Sequence, residues 1–363
     1  MSVARPLSDK PAPTPVARVM VCDDSVVIRG AITRILAADP AIEVVARSAN
    51  GQVALDELRR TQVDVVVLDI EMPVMDGLTA LPLMLRADPN LKVIMASTLT
   101  TRGADIALRA LRLGAADYLP KPSSIGTVSD DGFRRELLEK VKGLAGLRRR
   151  AVMPSKAPPS LVPLRAPSRL PPRLLAIGSS TGGPQALFTL FQGLGRTLPV
   201  PVVLTQHMPR AFTPILADHI TKLGGLPCTE AADGEALQAN HVYLAPGDRH
   251  LQVDARGGTL HARLTMDPPE NFCRPSVDPM LRSASAACEG RVLVTMLTGM
   301  GHDGLAGTRK VIEAGGAALA QDEASSVVWG MPGAIAQAGL CQAVLPLPQL
   351  APKLLDLLRT ARS

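Results

Sequence analysis

Short apolar runs alternate with segments of helical periodicity along the first half of the chain. The runs typical of buried strands are ARVMVCD, IEVVARS, VDVVVLD, KVIMAS and ADYLP. Apolar residues recur at helical spacing near 25–37, 52–60, 77–87, 103–112 and 131–144. Five successive β–α units predict a doubly wound parallel sheet, and functional residues in such sheets gather at the carboxyl ends of the strands.

The same alternation returns in residues 174–363, where the strand candidates are RLLAIG, VPVVLTQ, HVYLAPG, VLVTMLTG and AALAQD. This pattern predicts a second doubly wound α/β domain. Residues 145–173 contain seven prolines and no periodicity, so they are predicted to be a Pro/Arg-rich linker. Residues 1–16 are expected to be a disordered tail, and 17–144 the first domain.

Composition and charge placement exclude several classes of protein. The net charge is +6, but seven Lys or Arg residues and no acid lie in the predicted linker, and only 2% of residues are aromatic. These features argue against nucleic-acid binding. No apolar run approaches the roughly eighteen residues of a membrane span, and the N-terminus lacks the apolar core of a signal peptide. The five cysteines form no C-x-x-C pair, which favours reduced thiols and a cytoplasmic location.

Acidic residues stand at the ends of two predicted strands of the first domain. Asp23 and Asp24 end the first strand and Asp69 ends the third. Three converging carboxylates repel each other unless a cation joins them, and Mg²⁺ prefers such oxygen ligands. Ser97 after the fourth strand and Lys121 after the fifth could bind the oxygens of a phosphoryl group. Each Asp alone is more simply a helix N-cap, whereas the whole set favours a functional site.

The segments VCDDS, VVVLDIEMPVMDG, ASTLT and YLPKPSS together resemble a response-regulator receiver domain over nearly all of residues 17–144. The resemblance implies a flavodoxin-like five-stranded fold in which a histidine kinase phosphorylates Asp69. It also implies a Mg²⁺ site with the ligands Asp23, Asp24, Asp69 and the main-chain carbonyl of Glu71. Ser97 and Tyr118 would be the switch pair beside Lys121, and the Lys121–Pro122 bond would be cis.

A Gly- and Ser-rich turn, GSSTG at 178–182, lies between a predicted strand and a predicted helix of the second domain. It matches G-x-S-x-G, in which a serine projects from a sharp turn and helix N–H groups can stabilise an oxyanion. It does not match the G-x-G-x-x-G or P-loop patterns, which argues against a phosphate site. Ser180 is therefore a candidate nucleophile. From this motif alone, simple helix capping before Pro184 is an equal alternative.

A nucleophilic serine needs a base and a carboxylate that orients the base. His207 ends VPVVLTQ, the strand after that of Ser180, and Asp303 follows the strand VLVTMLT. Neighbouring strand ends can bring such side chains together. His302 is a rival base, but next to Asp303 in sequence it would point elsewhere. Each histidine taken singly, including 219, 241, 250 and 261, is more often structural than catalytic. The chain order Ser–His–Asp differs from that of α/β-hydrolases.

The segments AIGSSTGGPQAL, LTQHMPRAFT, VYLAPGDRHL, RPSVDPM, LTGMGHDGLAG and AQDEASSVVWGMP resemble the methylesterase domain of the CheB family over residues 174–345. The resemblance implies a Rossmann-like α/β esterase domain with a catalytic triad of Ser180, His207 and Asp303. It places the oxyanion-hole residues at Thr181 and Met300. The sequence departs from the family pattern at Ser179, where Ala is usual, and at Trp329, where Tyr is frequent.

The two resemblances together imply a phosphorylation-activated protein-glutamate methylesterase that also deamidates glutamine. Its substrate would be methyl-accepting chemoreceptors, and its phosphodonor a CheA-like histidine kinase. The receiver would use Mg²⁺, the esterase reaction would need no cofactor, and no part of the chain would insert into the membrane. Two alternatives stay open: a receiver-controlled binding regulator without turnover, and an esterase that serves a receptor array outside chemotaxis.

Overall fold

The fold is described from a computed structural model over residues 16–98, 100–121, 131–152, 162–168 and 171–359. The predicted tail up to residue 15, the predicted cis bond to Pro122 and most of the central linker lie outside the described residues.

The first half forms a five-stranded parallel sheet in the order β2-β1-β3-β4-β5. Its strands are β1 (Ala17–Cys22), β2 (Ile42–Ser48), β3 (Val65–Asp69), β4 (Lys92–Ser97) and β5 (Asp117–Pro120). The helices are α1 (Val26–Ala37), α2 (Gly51–Leu58), α3 (Gly77–Ala87), α4 (Thr101–Arg112) and α5 (Asp131–Val152). The predicted doubly wound sheet is confirmed. Strands β1 and β3 are neighbours although they are not consecutive, so their carboxyl ends share one rim.

Helix α5 is longer than the periodicity predicted, since it continues past 144 to Val152. Leu144 and Ala145 are fully buried against the first sheet. Arg148 then pairs with Asp64 at 3.2 Å and with Asp88 at 2.8 Å. These tertiary contacts stabilise the end of the helix, whose arginine run at 148–150 is assigned to the polar linker by the sequence pattern. The domain limits of 17–144, 145–173 and 174–363 stay predictions.

The second half forms a seven-stranded parallel sheet in the order β14-β13-β12-β6-β7-β9-β8. Its strands are β6 (Leu174–Ser179), β7 (Val202–Gln206), β8 (Cys228–Glu230), β9 (Val242–Leu244), β12 (Val292–Met296), β13 (Ala317–Gln321) and β14 (Ala343–Leu345). The helices are α6 (Gly183–Leu194), α7 (Thr213–Gly224), α8 (Val277–Ala287), α9 (Leu305–Glu313), α10 (Met331–Gln337) and α11 (Leu347–Arg359). A second parallel α/β sheet is therefore confirmed. Strands β6, β7 and β12 are adjacent, which brings their carboxyl ends together.

An antiparallel hairpin departs from the predicted β–α alternation. It joins β10 (His250–Arg256) to β11 (Thr259–Thr265) through Gly257 and Gly258, whose φ angles are 56° and 84°. The segment alternates buried and more exposed positions around a Gly-Gly turn, which is a recognised hairpin signal. The short edge strands β8 and β14 also went unpredicted, because their three residues are only partly buried and carry too little periodicity. Strand β9 is equally short, but it is fully buried and was predicted.

The two sheets are joined through helices. Apolar residues of α4 belong to the same buried cluster as apolar residues of α6 and α7. The described linker residues 162–168 run along the second domain, where Arg165 N donates to Cys341 O at 2.8 Å and Ser168 Oγ donates to Gly315 O at 2.7 Å. The receiver-like domain therefore packs directly on the face that carries α6.

Candidate active site

The Ser180 turn connects the end of β6 to the first turn of α6. Gly182 has a φ of 74°, a conformation that L side chains rarely adopt. A Cβ at Gly183 would collide with Gln206 Oε1, so this position also requires glycine. Ser180 N donates to Thr298 O at 3.0 Å, and Gln206 Nε2 donates to Ser180 O at 2.9 Å. The turn is thereby fixed from both neighbouring strands.

The two adjacent serines of this turn have different environments. Ser179 is fully buried, and its hydroxyl donates to Gln206 Oε1 at 2.7 Å. Ser180 is partly exposed, and its hydroxyl has no hydrogen bond to another of the described residues. A nucleophile must be accessible to substrate, so the geometry favours Ser180 over Ser179.

His207 and Asp303 are brought together as the sequence predicts. His207 follows β7, and its Nε2 lies 2.7 Å from Asp303 Oδ2. Burial opposes the charged imidazole, but the hydrogen bond to Asp303 and the contact with Cys273 raise the pKa of His207 to about 10. The side chain of the rival base His302 is exposed, and it is Asp303 that contacts the ring of His207. Within the described residues, Ser180 Oγ is not yet hydrogen-bonded to His207.

Asp303 is held by a cluster of donors. Besides His207, it accepts hydrogen bonds from Asn271 Nδ2, Ser276 Oγ, Val277 N and Asp278 N at 2.7–3.1 Å. Burial alone would raise the pKa of this carboxyl, but the bonds and the charge of His207 lower it well below its ordinary value. The charged carboxylate is thus fixed in place and can orient the imidazole.

Three contributors to this cluster were missed in the sequence, namely Asn271, Ser276 and Cys273. They lie in the segment ENFCRPS, of which only RPS fell within a quoted motif. Asn271 Nδ2 bridges Asp303 and Asp278, at 2.9 and 3.0 Å. Cys273 Sγ lies 3.4 Å from His207 Nδ1. Nothing in their spacing marks these residues, because the loop between β11 and α8 has no periodicity to fix its position.

The predicted oxyanion donors stand beside Ser180. Thr181 follows Ser180 directly, and Met300 follows Gly299, whose Cβ position would lie 3.0 Å from Ser180 Cβ. Among the described residues, no acceptor is bonded to the main-chain N–H of Thr181 or Met300. Unsatisfied backbone N–H groups at a turn can stabilise a developing oxyanion.

The remaining histidines make structural contacts. His241 Nε2 lies 2.8 Å from Thr229 Oγ1, and His250 is buried, with Ser276 N donating to its Nδ1 at 3.2 Å. His261 Nδ1 lies 3.2 Å from Thr259 O. His219 is buried in α7, 3.8 Å from Asp105 of α4. The general reading of single histidines as structural therefore holds for these four.

The acidic cluster of the first domain also assembles as predicted. One oxygen each of Asp23, Asp24 and Asp69 lie within 4.8 Å of one another, with Asp24 exposed and the other two buried. Lys121 Nζ is 2.8 Å from Asp23 Oδ2 and 2.7 Å from Asp69 Oδ1. Burial raises the pKa of Asp69, and Asp23 adds to this, although Lys121 opposes it. A hard cation bound here would offset the same repulsion.

The other residues predicted for this site lie around the cluster. Glu71 is exposed and lines an open depression together with Asp24 and Arg102. Ser97 is buried, and its hydroxyl donates to Thr98 O at 3.1 Å. Tyr118 is buried too, but its ring stacks on Phe212 of the second domain with centroids 4.7 Å apart. The tyrosine of the predicted switch pair therefore sits at the contact between the domains.

A buried polar link joins β5 to the Ser180 turn, and sequence reasoning did not predict it. Asp117 Oδ2 accepts a hydrogen bond from Gly182 N at 3.1 Å, while Asp117 Oδ1 accepts one from Tyr118 N. Buried Lys140 lies 3.5 Å from Asp117 and 2.8 Å from Glu136. Gln185 Nε2 donates to Leu111 O and Ala115 O at 2.6 and 2.5 Å. The first turn of α6 is thus bound by the first domain.

None of the helices in the described residues is long and apolar enough to span a membrane.

Comparison with known families covers both halves of the chain. The CheB methylesterase model matches residues 175–354, and the response regulator receiver domain model matches residues 19–130.

Relatives of high identity match nearly the whole chain. The protein-glutamate methylesterase/protein-glutamine glutaminase 1 of Paramagnetospirillum magneticum is 52% identical, over 96% of this chain and 98% of that one. The protein-glutamate methylesterase/protein-glutamine glutaminase of group 2 operon of Rhodospirillum centenum is 54% identical, over 92% of each. Among solved structures, the Thermotoga maritima CheB methylesterase catalytic domain is 38% identical with a TM-score of 0.50, and it covers 51% of this chain and 98% of that chain.

Proposed function

The chain belongs to the CheB methylesterase family, and from that premise we propose that it is a phosphorylation-activated protein-glutamate methylesterase. It hydrolyses glutamate γ-methyl esters on chemoreceptors and deamidates receptor glutamines, as part of adaptation in chemotaxis. The observation that carries the esterase proposal is the contact of 2.7 Å between His207 and Asp303, held beside an accessible Ser180. All five cysteines are free thiols, in keeping with the proposed cytoplasmic location.

In the proposed reaction, Ser180 Oγ attacks the ester carbonyl while its proton passes to His207 Nδ1. The N–H groups of Thr181 and Met300 stabilise the oxyanion. The carbon–methoxy bond then breaks, and His207 returns the proton to give methanol and an acyl-Ser180 ester. Water, deprotonated by His207, hydrolyses this ester to free glutamate. Asp303 keeps the imidazole oriented and stabilises its charged form.

Glutamine can enter the same route through its side-chain carboxamide. The leaving group is then ammonia, which departs only after His207 has protonated it. An amide is therefore a poorer substrate than a methyl ester in this site. Both reactions use the side chains and N–H groups named above together with one water molecule.

The first domain supplies the proposed control. Asp69 accepts a phosphoryl group from a CheA-like histidine kinase, and Lys121 contacts the oxygens of that group. The donor set of three clustered carboxylate oxygens suits Mg²⁺, which Asp23, Asp24, Asp69 and the carbonyl of Glu71 would hold. When bound, Mg²⁺ neutralises charge on the transferring phosphoryl oxygens.

Docking of the first domain on the Ser180 turn supports autoinhibition. Asp117 binds Gly182 N, and Tyr118 packs on Phe212, so a receptor segment competes with the receiver for this face. Phosphorylation would bias the pair of domains toward the undocked arrangement, by as much as it weakens the docking.

The esterase proposal is tested by methanol release from methylated receptor membranes. Ser180→Ala should abolish release, at least about a thousandfold, because the acyl-enzyme cannot form. Ser179→Ala is the matched control and should keep most of the activity, since among the described residues its buried hydroxyl bonds to Gln206 alone. Undiminished release by Ser180→Ala would overturn the assignment, and receptor binding without methanol release by the unaltered chain would favour a binding regulator.

The receiver proposal is tested with a small phosphodonor such as acetyl phosphate. Labelling of the full chain should require Mg²⁺ and should be lost in Asp69→Asn, because the acceptor oxygen is gone. Glu71→Gln is the control, since only the main-chain carbonyl of Glu71 is proposed as a ligand. Labelling without Mg²⁺, or at another residue in Asp69→Asn, would contradict the receiver assignment.

A further inference from the structure

The imidazole of His207 has one nitrogen committed to Asp303 and one that faces a thiol. Nε2 lies 2.7 Å from Asp303 Oδ2, so Nδ1 is the nitrogen left to accept the proton of Ser180. In the receiver-docked chain, Cys273 Sγ lies 3.4 Å from Nδ1. This distance is within the range of a hydrogen bond that involves sulfur, and Ser180 Oγ makes no such bond among the described residues.

We propose that Cys273 is a positioning residue that occupies Nδ1 of His207 and competes with Ser180 for it. The thiol either donates its proton to neutral Nδ1 or, as thiolate, accepts one from the imidazolium. In both arrangements Nδ1 is unavailable to the serine until the thiol moves off. The inference rests on the proposed triad, and it adds a chemical restraint on the base to the steric docking of the receiver.

The turn at residues 270–273, which carries Cys273, is held by hydrogen bonds within the turn and by bonds to Asp303 and Arg282. Cys273 pairs with Glu270 through two main-chain bonds of 3.0 and 3.1 Å, across Asn271 and Phe272. These two residues have φ angles of 53° and 63°, a strained region for side chains other than glycine. Asn271 bonds Asp303, so the same four-residue turn positions the base and its orienting carboxylate. Glu270 is in turn fixed by Arg282, at 2.6 and 2.7 Å.

This loop also contacts the first domain. The exposed ring of Phe272 lies under the guanidinium of Arg135 in α5, with 4.7 Å between the guanidinium carbon and the ring centroid. A cation–π contact of this kind favours the turn geometry seen in the docked chain. The position of Cys273 on Nδ1 is therefore a property of the inhibited arrangement.

The Cys273 thiol contributes to the pKa of His207, so its removal should have a measurable effect on the titration of the imidazole. Asp303 faces Nε2, Cys273 faces Nδ1, and Asp278 lies behind Asp303 with Arg282 nearby. Burial lowers the pKa of His207, whereas Asp303 and then Cys273 raise it, to about 10. A base that is protonated at neutral pH cannot accept the serine proton. Removal of the thiol should therefore lower this pKa and shift activity toward lower pH.

The first experiment measures kcat/KM for methyl-ester hydrolysis between pH 6 and 10, with the unphosphorylated full chain and with its Cys273→Ala and Cys273→Ser variants. We expect Cys273→Ala to raise kcat/KM about fivefold at pH 7, as expected for the loss of one competing hydrogen bond. The acidic limb should move to lower pH in both variants, because neither replacement keeps the contact with sulfur that raises the pKa of His207. A fall in kcat/KM at all pH values, or unchanged profiles, would overturn the proposal.

The second experiment keeps Cys273 in place and uses a readout other than activity. Iodoacetamide forms an S–C bond with a thiolate and releases iodide, while the thiol proton leaves through His207. Mass-spectrometric mapping of the full chain should show alkylation of Cys273 at least about tenfold faster at pH 7 than in His207→Gln. The buried thiols Cys22, Cys228 and Cys341 are internal controls, since burial raises the pKa of Cys22 and of Cys341 to about 12 and that of Cys228 further.

Equal alkylation rates with and without His207 would refute the contact even if Cys273→Ala fails to fold. The two proposals also fail separately. Full activity in Ser180→Ala would refute the proposed triad. Activity that depends on Ser180 but does not change in the Cys273 variants would refute only the inference about the thiol.

Discussion

At the residue scale, His207 and Asp303 form a buried pair in the catalytic site in which each residue shifts the pKa of the other. Asp303 is charged because five hydrogen-bond donors surround it, and that fixed charge in turn holds a proton on the imidazole. The charge of Asp303 therefore favours the protonated imidazole of His207 in the resting chain. Activation has to supply the environment in which Nδ1 is neutral and faces Ser180.

The pair also predicts how stability depends on pH. The pKa of His207 is raised from 6.5 to about 10 on folding, so its contribution is complete below pH 6.5 and is lost as the pH rises toward 10. The pKa of Asp303 is lowered from 3.8, so its contribution is present above pH 3.8 and is lost on acidification. The Tm advantage of the unaltered chain over His207→Gln should be largest near pH 5.5. It should shrink by at least about 2 °C by pH 9.5.

Calorimetry at pH 5.5, 7.5 and 9.5 checks this prediction, with His241→Gln as the control. Burial lowers the pKa of His241, so the Tm gap of this variant should not shrink as the pH rises. A constant Tm gap for His207→Gln would mean that the imidazole does not carry a raised pKa.

The residues that could be predicted from the sequence are those at the ends of regular strands. Asp23, Asp69, Ser180, His207 and Asp303 follow apolar runs, and parallel strands bring their ends together whatever the loops do. Asn271 and Cys273 could not be found in this way. They lie in a loop whose path depends on two left-handed residues and on bonds to Asp303, which are properties of the folded chain.

At the element scale, the end of β5 and the start of α6 form one polar unit. Asp117 accepts from Tyr118 N with one oxygen and from Gly182 N with the other. Burial raises the pKa of Asp117, and Lys140 opposes this. A carboxylate suits this position because it can accept from both N–H groups, whereas a carboxamide offers a single acceptor oxygen.

Asp117→Asn should therefore weaken docking and raise the activity of the unphosphorylated chain. The amide group must face either Tyr118 N or Gly182 N, so one bond is lost. We expect about a tenfold rise, as for the loss of a hydrogen bond to a charged acceptor. Asp105→Asn is the matched control, because Asp105 also reaches across to the second domain but is half-exposed and 3.8 Å from His219. A rise of the same size in both variants would argue for general loosening of the interface instead.

The bounds of the strands and helices differ from the predicted ones where tertiary contacts decide them. Eight of the ten strand candidates have their counterparts within two residues at each end, because continuous apolar runs bury both faces of a parallel strand. HVYLAPG and VLVTMLTG are the exceptions, since their strands stop at Leu244 and Met296. Helix α5 outruns its prediction because Arg148 finds partners on other elements. The β10–β11 hairpin was missed although its alternation and Gly-Gly turn were available in the sequence.

At the scale of the whole molecule, the receiver is a tethered ligand of the catalytic face. The linker keeps it at high local concentration, so docking is favoured without any strong single contact. The described part of the linker is itself bound along the second domain, which shortens the free tether.

A fragment that begins at Arg173 should consequently be more active than the unphosphorylated full chain. Removal of the tether removes the competitor, and the interface contacts are lost together. Methanol released per minute from methylated receptors measures the ratio, and the phosphorylated full chain gives the reference for complete undocking. Equal rates for the fragment and the unphosphorylated chain would refute occlusion. A phosphorylated chain that outpaces the fragment would show that the receiver also activates.

The stacking of Tyr118 on Phe212 has a consequence for the signalling input as well as for the output. If phosphorylated Asp69 and a docked catalytic face disfavour each other, linkage requires the effect to be reciprocal in free energy. A receptor tail that occupies the face around Ser180 must then make the acyl phosphate on Asp69 thermodynamically easier to form. The concentration of methylated receptor would thus influence the extent to which a given kinase phosphorylates Asp69. Receptors with many methyl esters would thereby increase the activity of the esterase that removes them.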